Sequence, residues 1–325
     1  MSQRRVLVYY AWSRPGERDA PLDVIEDRFP ALFESRRMGF PRFHEFSDPQ
    51  QFDQSIAGFL DHIMKHNFTA FVDLATELTG NPVKQIERVM DDGMLTALSD
   101  PVLRDIDTLI VISFDSLRTT QAADVSEVDA VRRFLARRDC LAFVCPHHDI
   151  GSVDPLAPED ALSQQVTEFL HHGDKTIPPR QRFGGFARSL LSGLGVPVEN
   201  RYGLRPAARP DGSPVPIEVD SALDALGLLR DVDTFNLHAH LPQLDRHGEA
   251  LDKLDVVARQ QIDASAPPHP FTRERNTFDA LLQSRPGVFE GLLLVSDTTL
   301  WSSTAGGVDS LRRLWTNVVQ RPFRA

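Results

Sequence analysis

The segment from Asp107 to Asp149 limits what this chain can fold into more than any other. It reads DTLIVISFDS, then LRTTQAADVSEVDAVRRFLARRD, then CLAFVCPHHD. Leu109 to Ile112 is an unbroken aliphatic run, too short for a helix and suited to a strand covered on both faces, as in a parallel sheet. Asp124 and Glu127 have the spacing of a capping box and predict a helix start. Val128, Val131, Phe134 and Leu135 then share one face. Arg132, Arg133, Arg137 and Arg138 fall mostly on the other, where solvent and the negative end of the helix dipole suit them. Cys140 to Cys145 returns as a second buried strand. Strand, helix and strand make a right-handed βαβ unit. Ligands of open parallel sheets bind beyond the carboxyl ends of the strands. That rule places Asp115 and Ser116 beside Cys145, His147, His148 and Asp149.

The flanking chain extends the pattern. Val6 to Trp12 predicts a first strand. Asp48-Pro49 predicts a helix start, followed by an apolar stripe of Phe52, Ile56, Phe59, Leu60 and Ile63. Phe68 to Leu74 reads as a strand, although the nearby alanines and Asp73 also suit a helix, and Asn81-Pro82 reads as the start of a helix carrying Val83, Ile86 and Met90. Helices are expected over Gln164 to His171 and Gln181 to Leu191, the second closed by Gly193 and Gly195. Strands are expected over 214–219, 234–241 and 254–262, with a hairpin through the DRHGEA loop. Residues 288–297 read as a buried strand, followed by a helix with Val308, Leu311, Trp315 and Val318 inward. The fold class expected is α/β: a doubly wound, mostly parallel sheet in one domain over 1–325. Residues 151–270 are expected to form an inserted α+β cover over its carboxyl edge.

Composition narrows the function. The chain has 325 residues and a formal net charge of −11, which argues against a nucleic-acid partner. It has no apolar run long enough to span a membrane, and MSQRRVLVYYAW reads as a strand rather than a signal peptide. Two cysteines make no disulfide framework, so a cytoplasmic setting is expected. A small-molecule substrate is the expected partner. No pattern in the sequence assigns an oligomeric state.

Polar residues at the strand ends carry the candidate chemistry. His147, His148, Asp149 and Asp115 are the candidate catalytic residues. Side chains alternate along an extended segment, so one of the two histidines is expected to face the cleft. His238 and His240 are two apart on an expected strand and point to one side; with His147 they form a candidate set for a divalent metal. The same histidines also suit backbone partners around a polar cleft, or acid–base use without metal. Asp115 and Asp297 both follow buried strands, as acid–base carboxylates or as caps and turn formers. Cys145 stands where a nucleophile would. Pro146 after it has no N–H to offer an oxyanion hole, and a buried, inert cysteine is the stronger reading. His247 and Glu249 have the spacing of an amidotransferase His–Glu pair but lie in a polar loop. SSTAGG at 302–307 could receive an anion at a helix start, without a P-loop lysine.

D107-TLIVIS, VDAVRRFL and FVCPH together resemble the ThuA-like proteins, within the class I glutamine-amidotransferase-like superfamily of flavodoxin-like fold. The resemblance favours His147 as the strand-end histidine and makes Leu292 to Asp297 and the last helix the closing strand and helix. It implies a first helix and second strand within 50–74, with 14–46 as an insertion. The family's glycine-rich lead into the second strand is replaced here by Arg138, Asp139 and Cys140. The resemblance implies a hydrolase acting on a small polar, sugar-like molecule and a place in carbohydrate metabolism. A non-catalytic ligand-binding or partner-binding member of the superfamily is the alternative, and a Cys-dependent amidotransferase a minor one.

Overall fold

The computed structural model describes residues 4–18, 65–115, 119–149, 157–158, 160–161, 182–200, 202–237, 241–265, 275–303 and 306–323. The expected helices after Asp48 and over Gln164 to His171, most of the 14–46 insertion, Ser116, His238 and His240 lie outside the described residues.

Among the described residues, eight strands form one sheet: β1 (Val6–Ser13), β2 (Lys84–Val89), β3 (Thr108–Ser113), β4 (Leu141–Pro146), β5 (Glu218–Val219), β6 (Leu254–Gln261), β7 (Thr277–Ser284) and β8 (Leu292–Val295). Their spatial order is β2-β1-β3-β4-β8-β7-β6-β5. The first five in that order pair in parallel. This is the 2-1-3-4-5 arrangement of a doubly wound sheet, with β8 as the fifth strand. An antiparallel extension of β7, β6 and β5 widens it on one side. The protein is thus an α/β protein built on a large, mostly parallel sheet.

Helices cover both faces, as buried parallel strands require. α1 (Thr69–Thr79) and α4 (Val308–Gln320) pack Phe71, Leu74, Leu311 and Trp315 on one face. α2 (Val125–Leu135) and α3 (Gly185–Gly193) pack Val131, Phe134, Phe186 and Leu190 on the other. β3 and β4 are buried along their whole length, as their continuous apolar runs imply. The capping box of α2 forms: the Glu127 amide donates to Asp124, and Glu127 accepts from the Asp124 amide. Gly195 follows α3 at φ +78°. No helix of the described residues is long and apolar enough to cross a membrane.

Several local expectations are corrected. Phe68 to Leu74 is not a strand but the start of α1. Phe71, Leu74 and Ala75 are buried at helical spacing, and Gly80 stops the helix at φ +66°. Asn81-Pro82 opens no helix. Lys84 to Val89 is an edge strand, with Leu7 to Tyr10 of β1 paired in register against Lys84 to Glu87. Tertiary pairing here overrides a plausible helix start. The strand that the resemblance implied at the end of 50–74 is corrected in the same way, since 69–74 are helical, while residues 50–64 lie outside the described residues.

Thr234 to Leu237 forms no strand. It lies against the start of α4, where a Cβ on Gly307 would sit 3.0 Å from the Asn236 backbone. Among the described residues the expected hairpin does not form: Asp245–Arg246 pairs with Val198–Glu199 instead. Leu254 to Gln261 belongs to the main sheet rather than to a cover over its edge. β7 escaped notice because Asp279 and Gln283 interrupt its apolar pattern. Asp279 meets Arg259 at 3.2 Å, and Gln283 donates to the Leu223 carbonyl.

Candidate functional site

The register of β8 on β4 builds the site. Leu292 to Val295 pair in parallel with Leu141 to Val144. The next residues of each strand therefore emerge side by side at the carboxyl edge: Ser296 and Asp297 from β8, Cys145 to His148 from β4. Asp297 caps the 3-10 turn Thr298–Trp301 by accepting from the Thr299 amide at 2.9 Å. Its other oxygen, Oδ2, lies 3.2 Å from His148 Nδ1 and accepts from Asn200 Nδ2 at 3.3 Å. His147, His148 and Asp297 are all buried, and one ligand-capable atom from each falls within 4.8 Å of the others.

The two imidazoles do not diverge. They stack with centroids 4.2 Å apart and planes inclined by 19°. β4 ends at Pro146, so the alternation of an extended strand no longer governs His147 and His148. His147 Nδ1 lies 2.8 Å from the His148 carbonyl. A carbonyl only accepts, so Nδ1 of His147 carries a hydrogen. Phe114 and Phe183 meet the His147 ring edge-on at 4.1 and 4.8 Å. Opposite charge settles the protonation of Asp297. Burial pushes its pKa up, but the His148 charge and hydrogen bond, then His147 and the Thr299 amide, outweigh that and hold it well below the usual carboxylate range.

The other sequence-derived candidates have different partners. Asp149 is buried, accepts from the Phe183 amide at 3.1 Å and pairs with Arg188 at 2.9 Å. Asp115 is fully buried and serves the start of α3. It accepts from the Phe186 amide at 3.0 Å through Oδ2 and from the Gly184 amide at 3.0 Å through its carbonyl. Ser113 Oγ donates to Asp115 and accepts from the Ala187 amide. Asp115 and Asp297 thus flank β4 but turn to different elements. Cys145 is buried, its Sγ 3.3 Å from Ser296 Oγ and accepting from the Trp301 indole at 3.2 Å. Burial pushes its thiol up to about 12. His247 and Glu249 are exposed, and Glu249 pairs with Lys253.

Sequence reading missed two residues that hold the cluster together. Asn200 is fully buried and donates to both the Pro146 carbonyl and Asp297. Arg188 bonds both Asn200 Oδ1 and Asp149. A single polar residue after a two-residue strand gives no periodic signal. An arginine within the FARSLL stripe did offer one: a charge among buried apolar positions implies a buried partner.

Fold and site together define a class: a doubly wound α/β protein with a buried His–His–Asp cluster at the carboxyl edge of its parallel strands. No family model matches the chain, and no curated protein matches it.

Proposed function

We propose that this chain is a hydrolase of ThuA-like, class I glutamine-amidotransferase-like type, acting on a small polar, sugar-like molecule at the carboxyl edge of its sheet. The observation that carries this reading is the meeting of His147, His148 and Asp297 at the ends of two adjacent parallel strands. Asp297 orients the His148 ring and favours its Nδ1–H form, which leaves Nε2 as the basic nitrogen for activating water. His147 stacks beside it and completes the polar wall. Two buried thiols, neither in a disulfide, support a cytoplasmic setting for this activity.

The test is a turnover screen of the purified chain on glycosides, sugar lactones and acylated sugars. His148→Ala should lower any turnover found by about 10²–10⁴-fold, the usual contribution of a positioned acid–base group. Turnover that survives His148→Ala in a folded protein counts against the reading. A second reading, a non-catalytic ligand-binding member of the superfamily, is favoured by the packing of Phe114 and Phe183 around His147. It expects saturable binding of a sugar-like compound without turnover. A Cys-dependent amidotransferase draws no support from Cys145, whose thiol is buried, pushed up to about 12 and followed by Pro146.

A further inference from the structure

We infer that His147, His148 and Asp297 bind one divalent transition-metal ion. The inference rests on the same reading of the carboxyl edge as the functional site and names a cofactor class and a ligand set; with the ion bound, His148 would serve as a ligand, and a metal-bound water would take the place of its Nε2 as the activated group. The argument is geometric. The His148 Nδ1 to Asp297 Oδ2 distance is 3.2 Å, long for a charge-assisted hydrogen bond. Two donors on one tetrahedral ion with bonds of about 2.0–2.1 Å lie roughly 3.3 Å apart, so the pair already has the spacing of two ligands. His147 supplies the third donor within the same 4.8 Å circle.

The surroundings agree with this assignment. Metal-bound histidines and carboxylates are normally fixed by outer hydrogen bonds. Here the Thr299 amide holds Asp297 Oδ1, Asn200 steadies Oδ2, and the His148 carbonyl fixes the His147 ring. Asp297 is 1% exposed and His148 fully buried, so the pair lies in a site that water does not screen, where a positive charge acts strongly on the carboxylate. Among the described residues, the arginine nearest in the network, Arg188, serves Asp149, Asn200 and Glu199 instead. A divalent ion would add positive charge beside Asp297 in that unscreened site. On binding it displaces the Nδ1 proton of His148 to solvent, and the neutral ring then carries its hydrogen on Nε2. Two imidazoles and one carboxylate suit Zn²⁺, Fe²⁺, Co²⁺ or Ni²⁺ and leave positions open for water or substrate. Such an ion lowers the pKa of bound water, the chemistry a hydrolase needs.

The test uses the full, untagged chain, stripped with a chelator and checked for retained fold by circular dichroism. It is titrated with Zn²⁺ by calorimetry and with Co²⁺ by visible absorption. The expected result is one ion per chain and a cobalt spectrum of low-symmetry coordination. Affinity should fall in His147→Ala and Asp297→Asn by more than the ~10–100-fold that outer-sphere changes cost. It should be unchanged in His66→Ala and His247→Ala, which alter exposed histidines. Absence of stoichiometric binding by the folded wild type overturns the inference, as does binding that both ligand variants retain. The two proposals fail separately. Turnover that depends on His148 and survives the chelator, with no ion bound, keeps the hydrolase and removes the metal. One bound ion without turnover keeps the metal and favours the binding protein.

Discussion

Cys145 shows how environment rather than position decides what a residue can do. It ends a parallel strand, where a nucleophile would stand, yet it is packed in as a hydrogen-bond acceptor for the Trp301 indole. Cys145→Ala should leave that buried N–H unpaired and cost about 1–3 kcal/mol, read from urea unfolding midpoints. In the folded wild type, alkylation of this thiol should proceed no faster than unfolding exposes it; rapid modification of the native protein would refute the inert reading. The histidines were legible because they adjoin an unmistakable strand. Asp297 was legible as a strand-end carboxylate, but its partner was not. Its bond to His148 depends on the alignment of β8 with β4, which joins residues 149 positions apart. Asn200 and Arg188 act through contacts equally remote from any local pattern.

At the level of elements, α3 is fastened to the sheet by groups from another segment. Its own first turn has no side-chain cap, and Gly184 before it has φ +74°. Ser113 and Asp115, at the end of β3, take the amides of Ala187 and Phe186 instead. Asp115 is therefore expected to act as a cap, and Asp115→Asn, which keeps an acceptor oxygen, separates capping from catalysis. A cap tolerates the change with less than the ~1 kcal/mol typical of cap removal, and turnover is kept. An acid–base carboxylate loses its turnover. Thermal unfolding together with the rate on any substrate found decides between them.

Gly184→Ala probes the same junction from the other side. A Cβ there would lie 2.8 Å from Pro146 Cβ, in a backbone region that side chains disfavour. The helix start must then withdraw from the residue before His147. A stability loss of roughly 1–3 kcal/mol is expected, together with a weakened site; a variant as stable as wild type counts against the close packing described. Elements with one dominant pattern, β3, α2, β4 and α4, were readable from sequence. α1 and β2 were exchanged in type because short apolar runs beside alanines, or after Asn-Pro, satisfy either periodicity until pairing with β1 decides.

Across the whole molecule, the two edges of the sheet are finished differently. At the amino edge, Arg321 donates to the Val318 carbonyl, the Thr108 hydroxyl and the Asp107 carbonyl, while Arg4 donates to the Arg321 and Pro322 carbonyls. These bonds tie the first and last segments to β3. The carboxyl edge carries the histidines and a second ionic knot. There Glu87 of β2 accepts from Arg14, Lys65 and the Trp12 indole. Burial raises the Glu87 pKa, but these three donors prevail and lower it from 4.5 to about 2.

The folded value lies below the unfolded one. The knot's contribution is therefore fully present above about 4.5 and is lost as pH falls toward about 2. The gap is worth roughly 3 kcal/mol. Wild-type stability, measured as the urea midpoint, should thus decline over that acid window. Glu87→Gln should be less stable at pH 7 by about 3–5 kcal/mol, because Arg14 and Lys65 keep their charges without a carboxylate between them. It should also lose the part of the acid slope that Glu87 supplies, so the two curves converge as pH falls. Parallel curves at all pH values would mean that the knot packs β1 against β2 without contributing through its charge.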